Sequence, residues 1–321
     1  MATVKSLYKR PAIDEMESIV VPGCGKVPGE AKPDLGRRSK PAPQYARPSH
    51  DGTREMPSAN PMISLFERAA LEAGKAIMEV RDAGAHVTMK SDASPVTEAD
   101  ERAERIILDH LHAAYPDIPV IAEESVAAGR VPDTDGGSFF LVDPLDGTRE
   151  FIAASDEFTV NIALIEAGVP TAGIVYAPAK ATAYTGADGH AEKLHVGANF
   201  EVDRRETIFT KPAGGDTVAL ISRSHNSPET DAYLTEKRFP SKRAIGSSLK
   251  FCVLAEGEAD VYPRFGCIMQ WDTAAGDAVL RAAGGMTLGL DGKPLPYGDT
   301  GEDTGSGFGN QCFIAWGKAP G

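Results

Sequence analysis

Apolar residues recur every three or four positions between residues 63 and 80, the spacing that places them on one face of an α-helix. They are Ile63, Phe66, Ala69, Ala70, Ala73, Ile77 and Val80. A second helix is predicted from Thr97, because a threonine followed three residues later by Asp100 resembles a capping box. This helix should end at Tyr115-Pro116. The first part of the patterned chain is therefore predicted to form two amphipathic helices.

Short apolar runs bounded by Gly and Pro follow these helices and predict β-strands. IPVIAEE and FFLVD are the first two, and FTVNIALIEAG, TAGIVYAP and ATAYTG predict an antiparallel meander. A second unit opens near Thr217 with the strand VALISRSH, followed by a helix in SSLKFCVLAEG, a strand in ADVYPRF and a helix in DTAAGDAVLRAAGG. This order predicts an α/β protein with an α+β half over residues 61–205 and an α/β half over residues 206–321.

Residues 1–60 differ from the rest of the chain. They are rich in Pro and Gly, carry almost no apolar periodicity, and contain ten Lys+Arg against seven Asp+Glu. Such a segment cannot bury enough apolar surface to order itself. We expect either a disordered arm or a non-native extension, with Met62 as the alternative start.

The net charge of −13 argues against a nucleic-acid polymer as partner. A small phosphorylated substrate stays compatible with it, because bound cations would reverse the local field. No apolar run approaches the roughly 18 to 20 residues that span a bilayer, and the N-terminus lacks the apolar core of a secretory signal. We therefore expect a cytoplasmic protein without an integral membrane segment. The sequence leaves the oligomeric state open.

The stretch LVDPLDGTREF places Asp143 and Asp146 three residues apart around a proline, immediately after an apolar strand. Asp-Pro and Asp-Gly are common turn sequences, so an ordinary turn is one interpretation. In the other, the proline stiffens a bend in which both carboxylates and the Leu145 carbonyl face one point. Three such oxygens beside a helix start would suit a divalent cation and a phosphate.

Acidic residues also stand at other junctions between loops, strands and helices, namely Asp100, Glu123-Glu124 and Asp272. Each alone has an ordinary explanation, such as a helix cap, an exposed strand end or a carboxylate in the first turn of a helix. Together they suit metal-assisted phosphoryl transfer, in which cations contact the attacking and the leaving oxygen.

These motifs resemble those of the inositol monophosphatase superfamily, which comprises Mg²⁺-dependent, lithium-sensitive phosphatases. The resemblance lies in AEES (122–125), DPLDGT (143–148) and WDTAAGDAVLRAAGG (271–285). Within the superfamily, KSDASPVTEAD (90–100), EFTVNIALI (157–165), SRSH (222–225) and IGSSLKFCVLAEGEADVYPRFG (245–266) are similar to the CysQ-type 3′(2′),5′-bisphosphate nucleotidases. The resemblance covers residues 62–313 and implies a layered αβαβα sandwich.

The resemblance also implies metal ligands. Glu123, Asp143 and the Leu145 carbonyl would hold a first Mg²⁺, and Asp143, Asp146 and Asp272 a second. A third, weaker ion would depend on Glu123 through water. Metal-bound water becomes acidic enough to supply hydroxide near neutral pH, which makes these assignments chemically reasonable.

The same resemblance implies catalytic roles next to the metals. Asp100 and Thr148 would orient and deprotonate the attacking water, with Glu123 contributing, because a threonine hydroxyl needs an acceptor beside it. The backbone N–H groups of Gly147 and Thr148 would receive the scissile phosphate, and Asp272 would also border the substrate.

A second anion site is implied for the phosphate that is not hydrolysed. Ser247, Lys250 and Arg264 resemble the family positions that hold it, and His225 matches a position near the nucleotide. Ser247 and Lys250 lie three residues apart, which predicts that they face the same way on one helix turn. A solvated surface is the alternative for Lys250 and Arg264. The resemblance makes 61–205 the metal-binding half and 206–321 the substrate-binding half.

The function that follows is hydrolysis of the 3′-phosphate of adenosine 3′,5′-bisphosphate to AMP and phosphate. Three alternatives remain open. One is an inositol monophosphatase or broad sugar-phosphate phosphatase on the same fold, and another is a non-catalytic nucleotide sensor. The third is a nucleic-acid binder that acts through the basic arm.

Overall fold

The structure is a computed structural model that describes residues 60–84, 87–89, 95–134, 137–211, 217–224, 226–298 and 307–317. The predicted arm over residues 1–60 therefore lies, except for its last residue, outside the described residues. The helices are α1 (Pro61–Ala83), α2 (Glu98–Ala114), α3 (Glu123–Ala127), α4 (Thr148–Ile152), α5 (Pro228–Glu236), α6 (Leu249–Ala255) and α7 (Ala274–Ala282). Two 3-10 turns lie at Pro178–Lys180 and Gln270–Asp272.

The strands form a two-stranded ribbon and two larger sheets. They are β1 (Val87–Met89), β2 (Pro95–Thr97), β3 (Val120–Ala122), β4 (Ser138–Asp146), β5 (Thr159–Glu166), β6 (Val169–Ala177), β7 (Thr182–Ala187), β8 (His190–Val196), β9 (Val202–Thr207), β10 (Val218–Ser222), β11 (Ser241–Ile245), β12 (Val261–Arg264), β13 (Met286–Gly289) and β14 (Phe313–Trp316). Strands β1 and β2 pair with each other.

The larger sheet has the strand order β3-β4-β5-β6-β7-β8-β9, and only its β3–β4 pair is parallel among the described residues. The predicted antiparallel meander is confirmed in β5, β6 and β7. It continues through β8 and β9, which the apolar pattern missed. Strand β9 is the charged, largely exposed edge VDRRET, so it has little apolar signal. It spans the predicted boundary between residues 205 and 206.

The smaller sheet has the order β11-β10-β12-β14-β13. Strand β10 runs parallel to β11 and β12, whereas β14 is antiparallel to both of its neighbours. Parallel neighbours place the carboxyl ends of their strands at one sheet edge. Ser222 and Ile245 therefore end β10 and β11 side by side, and the segments that follow them lie together.

Helices and sheets stack in five layers. Helices α1 and α2 pack with one face of the larger sheet, for example Phe66 with Phe140 and Val142. Helices α6 and α7 lie between the two sheets, in a core that joins Leu141 to Phe313. Helix α5 covers the far face of the smaller sheet. The predicted αβαβα sandwich is thereby confirmed. Among the described residues, no helix combines the length and the apolar character needed to cross a membrane.

Local capping explains where the elements next to the cavity begin. The predicted capping box is present, since Asp100 Oδ2 accepts from both the N–H and the hydroxyl of Thr97 at 2.7 Å. Glu123, predicted at a strand end, instead begins α3. The reason is tertiary: buried Glu104 of α2 accepts from the Glu124 N–H at 2.9 Å and from the Ser125 hydroxyl at 2.7 Å, which supplies α3 with its missing cap.

Helix α7 approaches the larger sheet at Gly173 so closely that a Cβ there would lie 2.7 Å from the Ala275 carbonyl oxygen. We predict that Gly173→Ala lowers the free energy of unfolding by about 1 to 3 kcal/mol, because the backbone of α7 must shift. Urea unfolding would measure this. Gly266→Ala is the control, since its Cβ would meet Ser227 Cβ at an ordinary 3.6 Å. Equal losses in both variants would contradict the prediction.

Candidate active site

A cavity of about 330 Å³ lies where the end of β4 meets the segments after β10 and β11. Its walls come from the turn after β4, the start of α3, the start of α6, β12 and the 3-10 turn at Gln270–Asp272. The predicted site residues that line it are Glu123, Asp143, Leu145, Asp146, Gly147, Thr148, Ser247, Lys250, Arg264 and Asp272. Asp100 is buried behind Thr148, and His225 lies outside the described residues.

Three carboxylates from three different elements converge on one wall. Asp143 ends the regular part of β4, Glu123 begins α3, and Asp272 ends a 3-10 turn. Each offers an oxygen, and these oxygens lie within 4.8 Å of one another. We call these three residues the acid cluster. Hard carboxylate oxygens at this spacing could hold a divalent cation such as Mg²⁺ or Ca²⁺.

Burial and the charges of neighbouring acids raise the pKa values of two members of the acid cluster. Burial raises the pKa of Asp143 well above its usual value, and the neighbouring charges of Glu123, Asp146 and Asp272 raise it further. Burial likewise raises the pKa of Asp272, followed by the charges of Asp146 and Glu123. Between the usual pKa of an aspartate and the raised pKa, the folded protein keeps these protons while the unfolded chain releases them. The folded state therefore loses stability as pH rises through this range. A bound cation would remove this loss.

Asp146 faces the same cavity but has a different neighbour. Burial raises the pKa of Asp146, while the Lys250 ammonium and a hydrogen bond from Ser248 oppose the increase. The Ser248 hydroxyl lies 2.8 Å from Asp146 Oδ2 and 2.6 Å from the Asp272 carbonyl oxygen, and it accepts from Asn161 Nδ2 at 2.9 Å. Ser248 therefore ties the two aspartate-bearing segments together.

The turn from Asp143 to Thr148 directs two carboxylates into the cavity, which an ordinary surface turn does not do. The Leu145 N–H donates to Asp143 Oδ1 at 2.9 Å, which fixes that carboxylate. Gly147 has a φ of 93°, and a Cβ there would lie 3.1 Å from the Glu157 carbonyl oxygen, so this position needs glycine. The strand pairing shifts between Asp143 and Asp146, and this irregularity turns both side chains into the cavity.

Thr148 and Asp100 form a hydrogen-bonded pair. The Thr148 hydroxyl lies 3.1 Å from Asp100 Oδ1 and 3.2 Å from the Leu145 carbonyl oxygen. The other oxygen of Asp100 caps α2 through Thr97. The cap thus holds Asp100 rigidly with one oxygen directed at Thr148.

Lys250 and Arg264 are buried, so the alternative interpretation as solvated surface is wrong: they are 5% and 9% exposed. Lys250 Nζ donates to the Ser247 carbonyl oxygen at 2.6 Å and lies 5.3 Å from the centre of the Tyr262 ring. Burial lowers the pKa of Lys250 to about 8, against the opposing charge of Asp146. Arg264 Nη2 donates to the Cys267 carbonyl oxygen at 3.1 Å.

Ser247 does not share a helix turn with Lys250, contrary to the prediction from spacing. Helix α6 begins at Leu249, and Ser247 lies in the preceding turn with a φ of 47°, in the left-handed region. Its hydroxyl is buried and has no hydrogen-bond partner among the described residues. Ser248, which sequence reasoning passed over, makes the contacts to the aspartate segments instead. The sequence offers no signal to separate two adjacent serines, because a single irregular residue changes which side chain faces inward.

The comparisons with known proteins agree with this architecture. The model of the inositol monophosphatase family matches residues 58–314. A 3′(2′),5′-bisphosphate nucleotidase CysQ from Escherichia coli O157:H7 is 44% identical over 238 residues, which is 74% of this chain and 94% of the relative.

Solved structures show the same fold. A crystal structure of CysQ from Bacteroides thetaiotaomicron, a bacterial member of the inositol monophosphatase family, has a TM-score of 0.65 and 35% identity. The comparison covers 81% of this chain and 98% of that one. An inositol monophosphatase from Thermotoga maritima has a TM-score of 0.63 and covers 80% of this chain and 92% of its own. Its 23% identity supports a likeness of fold alone.

We predict that Mg²⁺ raises the melting temperature of protein first treated with a chelator. At a concentration 100 times the dissociation constant, the gain in unfolding free energy is about 2.7 kcal/mol. The gain should be larger at pH 8 than at pH 5, because protons compete with the cation for carboxylates of raised pKa. Asp143→Asn should abolish the gain, yet stabilise the metal-free protein by removing one repelling charge. A Mg²⁺ response that survives in Asp143→Asn would contradict the assignment.

Proposed function

This chain belongs to the inositol monophosphatase family, and we propose that it hydrolyses the 3′-phosphate of adenosine 3′,5′-bisphosphate to AMP and phosphate. Its similarity to CysQ proteins over most of the chain supports 3′(2′),5′-bisphosphate nucleotidase function. One observation carries the choice of substrate: a single cavity contains both the acid cluster and two buried cations, Lys250 and Arg264. A substrate with two phosphates could place one at the acid cluster and the other at Lys250 and Arg264.

The family is metal-dependent, and the acid cluster fits a hard divalent cation because its donors are closely spaced carboxylates that repel one another. We propose that two to three Mg²⁺ ions bind there. Glu123, Asp143 and the Leu145 carbonyl would hold one, and Asp143, Asp146 and Asp272 another. When bound, the metal would supply Lewis acidity toward the phosphate oxygens and toward water.

The protein's own residues would move the proton. The Thr148 hydroxyl lies 3.1 Å from Asp100 Oδ1, so it can accept a hydrogen bond from the attacking water while its own proton points to Asp100. The attacking water would pass its proton through Thr148 to Asp100 as its oxygen bonds to phosphorus and the bond to the 3′-oxygen breaks, and the leaving 3′-oxygen would take a proton from a solvent water. We propose that the N–H groups of Gly147 and Thr148 bind the phosphate, in a turn that Gly147 keeps open.

The second phosphate would bind on the basic side of the cavity. Arg264 offers a planar fork of donors, and the Ser247 hydroxyl is a buried donor with no partner among the described residues. Lys250 already donates to the carbonyl oxygen of Ser247 and lowers the charge repulsion at Asp146. It would therefore organise the turn as well as attract the phosphate. We assign His225 and Asp272 to the same proposed substrate site, with Asp272 at its edge.

The alternative on the same fold is an inositol monophosphatase or a broader sugar-phosphate phosphatase. Such an enzyme has no need of a buried Arg264 beside Lys250, which is why the nucleotide is preferred here. In the cell, we propose a cytoplasmic role in clearing the by-product of sulfate assimilation or sulfotransfer. Comparing turnover of adenosine 3′,5′-bisphosphate with that of inositol 1-phosphate tests the substrate directly.

Asp100→Asn should lower kcat by about 100- to 10,000-fold, because the acceptor for the Thr148 proton is lost. The variant keeps the shape of Asp100 and an oxygen to cap α2, so its melting temperature and its response to Mg²⁺ should change little. Steady-state kinetics and thermal unfolding measure these quantities. A kcat within threefold of the unmodified protein would refute the proposed role of Asp100.

Arg264→Met should lower kcat/KM for adenosine 3′,5′-bisphosphate by about 10- to 100-fold, the cost of one charge-assisted contact to a phosphate. Methionine fills much of the same buried volume, which limits structural damage. Hydrolysis of inositol 1-phosphate, which lacks the second phosphate, should change by less than about threefold on the same reasoning. Equal losses for both substrates would assign Arg264 a structural role.

A further inference from the structure

Glu157 lies in the loop between α4 and β5, at the point where the two sheets meet beside the cavity. Resting on the proposed nucleotidase function, we propose that Glu157 is a positioning residue that sets nucleotide affinity. It would do so by holding two substrate-facing segments, the one after β10 and the one after β11, against the turn that contains Asp143 and Thr148. No role in metal binding or proton transfer is implied.

The first contact is an ion pair with Arg223. Arg223 Nε donates to Glu157 Oε2 at 2.8 Å, and Arg223 Nη2 donates to Glu157 Oε1 at 3.1 Å. The guanidinium and the carboxylate therefore form a bidentate ion pair. Arg223 Nη2 also donates to the Ala244 carbonyl oxygen at 3.1 Å. The Arg223 backbone N–H donates to the Ile245 carbonyl oxygen at 3.3 Å. Arg223 therefore joins the ends of β10 and β11 to Glu157.

The second contact is with the turn that leads to Ser247. The Gly246 N–H donates to Glu157 Oε2 at 2.7 Å. A Cβ on Gly246 would lie 3.0 Å from both the Cβ and the carbonyl oxygen of Glu157, so the two backbones touch. A Cβ on Gly147 would lie 3.1 Å from that same carbonyl oxygen. Both glycines therefore pack against the Glu157 carbonyl oxygen.

The electrostatics of Glu157 agree with this geometry. Partial burial alone would raise the pKa of Glu157, but the hydrogen bonds from Arg223 and Gly246 outweigh burial and lower it. The carboxylate is therefore charged near neutral pH, and it can hold both donors at once. A second acid supports the same segment, since the Ser224 hydroxyl donates to Glu150 of α4.

The segments after β10 and β11 that are held in this way contribute to the cavity wall. Ser222, Gly246 and Ser247 all line it, and none of them belongs to the three clustered carboxylates. Loosening them should weaken binding of the nucleotide more than it slows the chemical step. The expected signature is a raised KM with a nearly unchanged kcat.

A double-mutant cycle with Arg223→Ala and Glu157→Gln tests this inference. Glutamine keeps an oxygen for the Gly246 N–H but loses the charge that Arg223 requires. Each single variant should raise KM for adenosine 3′,5′-bisphosphate about tenfold and change kcat by less than about threefold. The double variant should be no worse than Arg223→Ala alone, because that variant has already lost the ion pair with Glu157. The rise in melting temperature caused by Mg²⁺ should be preserved throughout.

Arg243→Ala is the matched control, because Arg243 of β11 forms an exposed ion pair with Glu258 and neither residue lines the cavity. It should leave KM unchanged. Additive increases in KM would mean that Arg223 contacts the nucleotide directly, and would overturn the positioning role. So would a KM that stays within twofold in both single variants. If the unmodified protein fails to hydrolyse the bisphosphate at all, the proposed function fails first, and this inference fails with it.

Discussion

The repulsion among clustered carboxylates is the constraint on which the rest of this structure depends. Asp143, Asp272 and Glu123 come from three elements that are distant in sequence, yet their oxygens lie within 4.8 Å of one another. Burial and mutual charge raise the pKa values of Asp143 and Asp272, so the arrangement is costly without a cation. A fold that maintains it needs rigid support for each acid, and the neighbouring contacts provide that support.

That support comes from pieces of structure that serve two purposes at once. The capping box of α2 satisfies the helix start and also directs one oxygen of Asp100 at Thr148. Buried Glu104 caps α3 from outside and so fixes the helix that Glu123 begins. Ser248 links Asp146 to the Asp272 backbone. These contacts, together with the Lys250 ammonium near Asp146, hold the acid-bearing segments in place against the repulsion of their charges.

Near the wall that carries Lys250 and Arg264, the constraint is the close approach of backbone segments to one another. A Cβ on Gly147 or on Gly246 would lie 3.1 or 3.0 Å from the same Glu157 carbonyl oxygen, so the turns before α4 and α6 can come together here because neither glycine has a side chain. Lys250 holds the turn before α6 by donating to two carbonyl oxygens, those of Ile245 and Ser247. The acidic and basic walls of one cavity are therefore coupled through a few residues of backbone.

The sequence by itself determined the two amphipathic helices and the meander, because periodicity and caps are local properties. The layered fold and the set of acidic residues followed from the resemblance of its motifs to a known family. Only the tertiary structure decided what faces what. Spacing put Ser247 on a helix with Lys250, but one left-handed residue turned Ser248 inward instead. Local sequence left Lys250 and Arg264 open between surface and site, and packing between two sheets buried both. The charged edge strand β9 and the tertiary cap on α3 escaped prediction for the same reason: their stability comes from partners far along the chain, and no local pattern records a distant partner.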